Sequence, residues 1–270
     1  MPLPSLEYAA PDTLRGLLSL LRERGQEAKV IAGGTDLLPS LKQGLLRPRC
    51  LLSPEKVPGL AGIEFTEEAG LRVGPLTKLR TLETSEVVSE RYPLLRDAAR
   101  AVGSPQLRHM GTVGGNLLLD TRCCYYNQSE AWRSSRPTCL KMGGKTCNAV
   151  GGGGRCFAVF SGDLAPALLA LDASVTVASA GAMKTVPLRE LYSGDGKAPF
   201  HLAEDELLLN IHVPPSSRGA WSAYYKHRTR QAIDFPLASV AASLLVDPAD
   251  RTCRRARIAL GGIGPGPLEV

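Results

Sequence analysis

Two glycine-rich turns, residues 33–36 (GGTD) and 111–116 (GTVGGN), constrain the fold most strongly. The first turn follows a β-branched run at 29–32 and precedes a helical pattern at 37–43, so it predicts a strand, a glycine turn and a helix. Glycine lets the backbone approach a phosphate closely, and a helix start favours an anion. Neither turn has the glycine spacing of the dinucleotide pattern GxGxxG or of the P-loop. A single turn of this kind is equally typical of an ordinary tight turn that binds no ligand. Two of them favour a diphosphate-binding pair, to which Thr35, Thr112 and Asn116 would add side-chain hydrogen bonds.

The composition indicates a globular protein of one large domain or two, with 270 residues, of which 44% are apolar and 21% charged. Its net charge of +6 is scattered and aromatic residues make up only 5%, which argues against nucleic-acid binding. We find no secretory signal and no apolar run of about 20 residues, so we expect a cytoplasmic protein without a membrane span. Thiols stay reduced in that compartment, which favours metal binding over disulfides.

The order of patterns predicts an α+β fold with a main domain to about residue 215. Helical patterns at 14–21, 77–88 and 92–102 are mixed with short strands, and Asp12 is the expected cap of the first helix. A linker is expected at 214–217 (PPSS), and strands at 221–230, 237–245 and 254–260 follow it. This tail of about 55 residues is too short for a comfortable core of its own, so it should lean on the main domain or on a partner.

Several ordered segments resemble one known family, the FAD-binding subunits of the molybdenum hydroxylases, which include xanthine dehydrogenase and carbon monoxide dehydrogenase. They are VIAGGTDLLPSLKQG, RHMGTVGGNLLLDTR, SGDLAPALLALDASVTVAS, TVPLRELY, YYKHRTRQAIDFPLASVAA and RIALGGIGPGPL. The resemblance implies a two-subdomain FAD-binding domain at 1–215 and a partial C-terminal α/β domain at 218–270. The family continues into closing helices beyond this point, so the C-terminal domain is expected to be truncated and to expose an apolar sheet face.

The same resemblance implies the FAD-binding residues. The diphosphate would be wrapped by Ala32, Gly33, Gly34, Thr35, Asp36, Gly111, Thr112, Val113, Gly114, Gly115 and Asn116. Asp163 would contact the nucleotide part, and Leu207 and Lys226 would lie by the flavin ring. Without the family, Asp163 is equally well read as a helix cap and Lys226 as a solvated strand residue.

Five of the seven cysteines fall between positions 123 and 156. Taken from Cys123, with Cys139, Cys147 and Cys156, the spacing is C-x15-C-x7-C-x8-C. This stretch has few large apolar side chains, so the free energy gained by burying them is smaller than the conformational entropy lost when the stretch becomes ordered. We therefore expect a metal centre to hold it in one conformation. A 4Fe–4S cluster, a zinc ion and unliganded thiols remain open, although zinc sites usually use closely spaced cysteine pairs.

The inserted segment at 122–160 is similar to that of the 4-hydroxybenzoyl-CoA reductase branch of the family, whose flavin subunit carries an extra 4Fe–4S cluster. By this resemblance Cys123, Cys139, Cys147 and Cys156 are its ligands, and Cys124 is an ambiguous neighbour of the first. Cys50 and Cys253 lie in strand-like apolar contexts and are expected in the core.

The resemblance implies an electron-transfer subunit with FAD and a 4Fe–4S cluster. Ferredoxin would deliver electrons, and partner subunits would carry the molybdenum cofactor and 2Fe–2S clusters, for reductive dehydroxylation of 4-hydroxybenzoyl-CoA to benzoyl-CoA. This subunit would contain no catalytic residue and no substrate site. The alternatives are the flavin subunit of a hydroxylase that passes electrons to NAD or a quinone, and a zinc-stabilised scaffold protein.

Overall fold

Three β-sheets and nine short α-helices make up the described part of the chain. The computed structural model describes residues 3–152, 154–215, 221–247 and 249–270. The strands are β1 (Glu7–Ala9), β2 (Ala28–Val30), β3 (Cys50–Leu52), β4 (Ile63–Thr66), β5 (Gly70–Val73), β6 (Ser174–Ala178), β7 (Met183–Pro187), β8 (Leu207–Val213), β9 (Trp221–His227), β10 (Ala238–Val246), β11 (Cys253–Gly261) and β12 (Leu268–Glu269). The helices are α1 (Leu14–Arg24), α2 (Leu37–Lys42), α3 (Leu79–Thr84), α4 (Glu86–Arg91), α5 (Pro93–Ala101), α6 (Pro105–Met110), α7 (Val113–Leu117), α8 (Glu130–Ser134) and α9 (Leu164–Ala170). Short 3-10 turns lie at Gly25–Glu27, Leu140–Met142 and Leu188–Leu191.

The N-terminal layer is a three-stranded parallel sheet with β3 between β1 and β2. Helix α1 covers it with Leu17, Leu18 and Leu21, which are buried at helical spacing. The helix begins after Thr13, whose hydroxyl accepts from the Gly16 amide, and not after Asp12 as the sequence suggested. This layer holds β2 and therefore fixes the start of the first glycine turn.

The central sheet has five antiparallel strands in the order β4-β5-β8-β6-β7. Helices α3, α5, α7 and α9 share its main hydrophobic cluster, and every residue of α9 is buried. The single helical pattern expected at 77–88 is two helices, because Ser85 interrupts it and caps α4 by accepting from the Val88 amide.

The C-terminal sheet is antiparallel, in the order β12-β11-β10-β9, and packs on the main domain. Ala241 and Ala259 are fully buried in the main cluster, and a Cβ on Gly261 would lie 2.6 Å from Pro166 of α9. The expectation that the tail leans on the main domain is therefore confirmed. The other face of β9 exposes Trp221 and Tyr225, so large apolar groups do lie outside the packed side.

The linker expected at 214–217 lies partly outside the described residues, because positions 216–220 are not among them. Within the described ranges, no helix is both long enough and apolar enough to cross a membrane.

Candidate functional site

A cleft of about 820 Å³ runs along the glycine turns, which is a size typical of small-molecule and cofactor sites. Its walls contain twelve of the fourteen residues that the sequence analysis assigned to FAD. The two exceptions are Val113, which is buried in the main core, and Lys226. The residues that the resemblance singled out thus surround one cleft large enough for a dinucleotide.

The first glycine turn offers unpaired backbone donors to this cleft. The last strand-like bond before it is donated by the Ile31 amide to the Leu52 carbonyl. No backbone carbonyl of the described residues accepts from the amides at 32–36. Gly34 has a φ of +71°, a conformation that favours glycine and turns the chain into α2. A run of free amides beside a helix start is suited to a phosphate.

The second glycine turn is built differently, because most of its amides already donate hydrogen bonds within the described part of the protein. The Val113 amide donates to the Thr77 carbonyl at 2.9 Å, and the Gly114 amide donates to the Pro75 carbonyl at 2.8 Å. Thr112 caps α7 by accepting from the Gly115 amide at 3.1 Å. This turn therefore supplies a close-fitting wall of the cleft, while the first turn supplies the backbone donors.

The two turns touch directly. A Cβ on Gly33 would lie 2.1 Å from the Met110 carbonyl oxygen and 3.0 Å from the Gly111 Cα. A Cβ on Gly114 would lie 2.7 Å from the Pro75 side chain. These close approaches explain why glycine occupies both turns.

The polar side chains at the inner end of the cleft are already paired. The Asn116 side-chain oxygen accepts from the Leu164 amide at 2.9 Å, which fixes the start of α9 to the second turn. Asp163 stands at the cap position of α9 but makes no capping bond with its side chain. Its carboxylate instead accepts from the Tyr224 hydroxyl and from Lys226 Nζ, both at 2.8 Å.

Lys226 lies behind the cleft wall and not along it. Its side chain is buried, and Nζ also donates to the Ala101 carbonyl at 3.1 Å. Burial raises the pKa of the Asp163 carboxyl and lowers the pKa of the Lys226 amine, while the attraction between the two groups opposes both shifts. The pair joins β9 to the start of α9, so it stabilises the cleft wall from the side that faces the protein interior. Leu207, the first residue of β8, lines the cleft.

Arg122 is a cleft residue that the sequence analysis did not assign. Its guanidinium forms an ion pair with Asp36 of the first turn and lies 4.5 Å from the centre of the Phe235 ring. Arg122 also makes an antiparallel bridge with Val159 at the base of the inserted segment. Its position next to Cys123 was the only available signal, and the sequence could not show that it reaches the first glycine turn.

The four cysteines that the resemblance selected line one small cavity. Residues 122–160, called the cysteine segment from here on, bring Cys123, Cys139, Cys147 and Cys156 to it. Cys124 is exposed and lies outside the cavity lining. The choice between Cys123 and Cys124 that the sequence left open therefore favours Cys123 in this structure.

Backbone amides point at the sulfurs of this cavity. The Tyr125 amide donates to Cys123 Sγ at 3.4 Å and the Ala158 amide to Cys156 Sγ at 3.5 Å. Burial raises the pKa of both of these thiols. At Cys147, burial also acts to raise the pKa, but amide hydrogen bonds outweigh it and hold the pKa below its ordinary value. Amide hydrogen bonds to sulfur are typical surroundings for metal-bound thiolates.

The described ranges contain no preassembled group of metal-binding side chains. No group of three or more His, Cys, Asp or Glu side chains there could hold a metal ion. The ligand sulfurs of an iron–sulfur cluster bind different iron atoms and need not converge on one point, so a shared cavity with four thiols still fits that donor set.

The two remaining cysteines have different surroundings. Cys50 is buried on β3, as expected. Cys253 is exposed at the start of β11, so its assignment to the core was wrong. The alternation of β11 places its buried residues farther along the strand, at Ala259 and Gly261.

Comparisons with known proteins agree on one family. The family described as "FAD binding domain in molybdopterin dehydrogenase" matches residues 4–216. The FAD-binding subunit PaoB of an Escherichia coli aldehyde oxidoreductase is 34% identical over 266 residues, which cover 93% of this chain and 80% of PaoB. Subunit alpha of the 6-hydroxypseudooxynicotine dehydrogenase complex of Paenarthrobacter nicotinovorans is 30% identical, covering 97% of this chain and 74% of the relative.

A solved structure shares the whole described fold. Carbon monoxide dehydrogenase from Hydrogenophaga pseudoflava, in a form that lacks the Mo-pyranopterin moiety of the molybdenum cofactor, superposes with a TM-score of 0.78 at 26% identity. The match covers 100% of this chain and 78% of that chain. The mixed helix-and-sheet fold expected from the sequence is confirmed by this likeness.

Proposed function

The chain belongs to the FAD-binding subunits of the molybdenum hydroxylase family, and we propose that it delivers electrons from a ferredoxin to partner subunits that reductively dehydroxylate 4-hydroxybenzoyl-CoA. The observation that carries this proposal is the cysteine segment, whose four thiols share one cavity beside the FAD cleft. The family and its FAD cofactor are shown by the comparisons. The cluster, the ferredoxin and the acyl-CoA substrate are the proposal.

The residues of the cleft fit FAD. The free amides at 32–36 would receive the diphosphate, with Gly33 allowing close contact between the two turns and Gly114 allowing close contact of the second turn with Pro75. The guanidinium of Arg122 would add positive charge for the phosphate oxygens, although Asp36 already shares it. FAD supplies a group that can exchange one or two electrons, which suits a subunit between a one-electron donor and a two-electron reaction.

The cysteine segment would hold a 4Fe–4S cluster through Cys123, Cys139, Cys147 and Cys156. Amide donors are already aimed at three of these four sulfurs. Such hydrogen bonds compensate thiolate charge in a partly buried site. A four-iron cluster supplies one-electron chemistry, which matches an electron-carrier protein as donor.

The charge of the cysteine segment supports an acidic ferredoxin as that donor. The net charge of +6 was expected to be scattered, but counting by segment corrects this: the cysteine segment has six Lys or Arg residues and a single acidic one, Glu130, so it carries a net charge of +5. Arg136, Lys145 and Arg155 are exposed on it. A concentrated positive field raises the association rate of an acidic partner, whereas charge scattered over the whole surface would not.

The reaction belongs to the partner subunits. In the family, molybdenum-binding large subunits and 2Fe–2S small subunits complete the enzyme, and we propose the same partners here. Two electrons and two protons would replace the ring hydroxyl of 4-hydroxybenzoyl-CoA by hydrogen and release water, giving benzoyl-CoA and two oxidised ferredoxins. The whole assembly would act in the cytoplasm.

One alternative is favoured by the named relatives. The 34% identical relative is the FAD-binding subunit of an aldehyde oxidoreductase, and the 30% identical one is a subunit of a dehydrogenase complex, a name that describes removal of electrons from a substrate. In that case this subunit would pass electrons outward to NAD or a quinone.

The experiment that tests the proposal uses the protein purified anaerobically with its partner subunits. We expect flavin bands together with broad iron–sulfur absorbance, iron beyond that of the 2Fe–2S subunit, and benzoyl-CoA formed from 4-hydroxybenzoyl-CoA with reduced ferredoxin. Formation of reduced NAD or quinol with an oxidisable substrate, and no benzoyl-CoA, would establish the alternative. A preparation without flavin bands would overturn both.

A further inference from the structure

Two side chains of the cysteine segment line both the cysteine cavity and the FAD cleft. They are Tyr126 and Lys141, and they form the wall between the two spaces. The Lys141 Nζ lies 4.9 Å from the centre of the Tyr126 ring. The Tyr126 ring is buried, and its hydroxyl donates to the Leu45 carbonyl at 3.3 Å.

Lys141 is fixed in this wall by hydrogen bonds to two other parts of the chain. Nζ donates to Asp120 Oδ1 at 2.8 Å, to the Thr121 carbonyl at 2.9 Å and to the Gly196 carbonyl at 3.1 Å. The Thr121 hydroxyl is a fourth acceptor within hydrogen-bond distance, so one of the three N–H groups is shared between two acceptors. Asp120 and Thr121 follow the second glycine turn, so Lys141 ties the cysteine segment to the chain that leaves the cleft.

The charge of Lys141 is poorly screened by water. Its side chain is 6% exposed, whereas that of its partner Asp120 is 39% exposed. Because water screens the more exposed charge more strongly, the carboxylate offsets only part of the field of the ammonium group.

We propose that Lys141 is the positioning residue that holds the cysteine cavity against the FAD cleft, and that its positive charge raises the reduction potential of the group bound by the cysteines. This inference rests on the proposed function, because it assumes a cluster in the cavity. Adding an electron makes the thiolate-bound group more negative, so a fixed positive charge on the cavity wall stabilises the reduced form more than the oxidised form.

Arg133, a second buried cation in the same segment, serves as a comparison for Lys141 because its contacts indicate a structural role alone. Arg133 is 8% exposed, and its guanidinium donates to two backbone carbonyls of the described residues, those of Gln128 and Gly44. It lines neither the cavity nor the cleft. We therefore expect Arg133 to support the segment without a comparable influence on the potential.

The test is a redox titration of the cluster in the anaerobically purified protein with its partner subunits. Lys141→Gln removes the positive charge and should lower the ratio of reduced to oxidised cluster about tenfold at a fixed potential, which is about 59 mV for one electron. Asp120→Asn removes the negative charge and should shift the ratio in the opposite direction. Lys141→Arg, which keeps the charge, should stay near the wild type, and so should Lys56→Gln at an exposed lysine outside the cysteine segment.

Opposite shifts in the two charge variants cannot arise from simple loosening of the segment, because loosening would act in the same direction in both. Equal shifts, or no shift in either, with iron present in the wild type would overturn this inference alone. A wild type without iron in the cysteine segment would overturn the proposed function as well. If Lys141→Gln does not fold, Asp120→Asn alone tests the proposal. A ratio of reduced to oxidised cluster that does not rise in Asp120→Asn contradicts it.

Discussion

Gly33 in the first glycine turn lies so close to Met110 that a Cβ on Gly33 would come within 2.1 Å of the Met110 carbonyl oxygen. Met110 ends α6 and leads into the second turn. Contact between two backbones, without any intervening side chain, therefore sets how the two turns enclose the cleft.

Gly33→Ala should force the two turns apart. We expect a loss of about 1–3 kcal/mol in the free energy of unfolding, as for an overpacked contact, and a fall in FAD affinity of at least about tenfold. Flavin fluorescence titration and thermal unfolding measure the two effects. Gly181→Ala is the matched control, since a Cβ there meets nothing within 4 Å. Retention of normal FAD affinity by Gly33→Ala would show that the close approach does not shape the FAD site.

Cys139→Ser should abolish the extra cluster and leave FAD bound. Cys139 lines the cysteine cavity, and serine is a poor substitute for a thiolate ligand of iron. We expect iron per complex to fall by about four atoms and the corresponding EPR signal to disappear, while the flavin content stays unchanged. Cys253→Ser makes the same chemical change at an exposed cysteine on β11 and should alter neither quantity. Unchanged iron in Cys139→Ser would remove this residue from the ligand set.

The local features of the site follow from sequence patterns. The glycine turns and the cysteine cluster are both visible along the chain. The sequence does not show that the first turn supplies free amides while the second supplies a closely packed wall. That difference arises because the Val113 and Gly114 amides donate to carbonyls at 77 and 75. Those partners are set by how the chain folds back and not by any local pattern.

Pairings between residues far apart in the chain were likewise not predictable from the sequence. The resemblance selected Asp163 and Lys226 for separate contacts with FAD, whereas the structure joins them at 2.8 Å across 63 positions. Lys141 lay between two selected cysteines, yet only the fold shows that it reaches Asp120 and the cleft. Cys253 was misplaced because an apolar strand context does not tell which end of the strand is covered.

Reversal of charge on the cysteine segment should slow electron entry from an acidic carrier. Arg136→Glu and Lys145→Glu each change an exposed charge by two units on the segment that holds most of the net charge. We expect kcat/KM for reduced ferredoxin to fall about tenfold at low salt, and the difference to shrink as salt rises. Lys56→Glu, at an exposed lysine outside the segment, is the control. Equal effects of all three variants would indicate a general charge effect and no docking site on the segment.

A buried ion pair lies beside the second glycine turn, and we expect it to make the free energy of unfolding of the protein depend on pH. Arg108 of α6 donates to Glu83 of α3 through Nε at 2.8 Å, and both side chains are 9% exposed. Burial acts to raise the pKa of Glu83, but the hydrogen bonds and charges of Arg108 and Arg80 outweigh it and hold the pKa below its ordinary value.

Since the folded-state pKa of Glu83 is lowered, its contribution to stability is present above the unfolded-state pKa of about 4.3 and is lost as pH falls through the lower folded-state value. Glu83→Gln should therefore reduce the free energy of unfolding by about 1–3 kcal/mol at pH 7, and the gap to the wild type should close as the pH falls below about 4. Urea unfolding of both proteins between pH 3 and pH 7 measures this. Glu64→Gln removes a more exposed partner of Arg72 and should have a much smaller effect at every pH. A gap that stayed constant across the range would mean that the Glu83 side chain supports the turn by its shape and hydrogen bonds, and not by its charge.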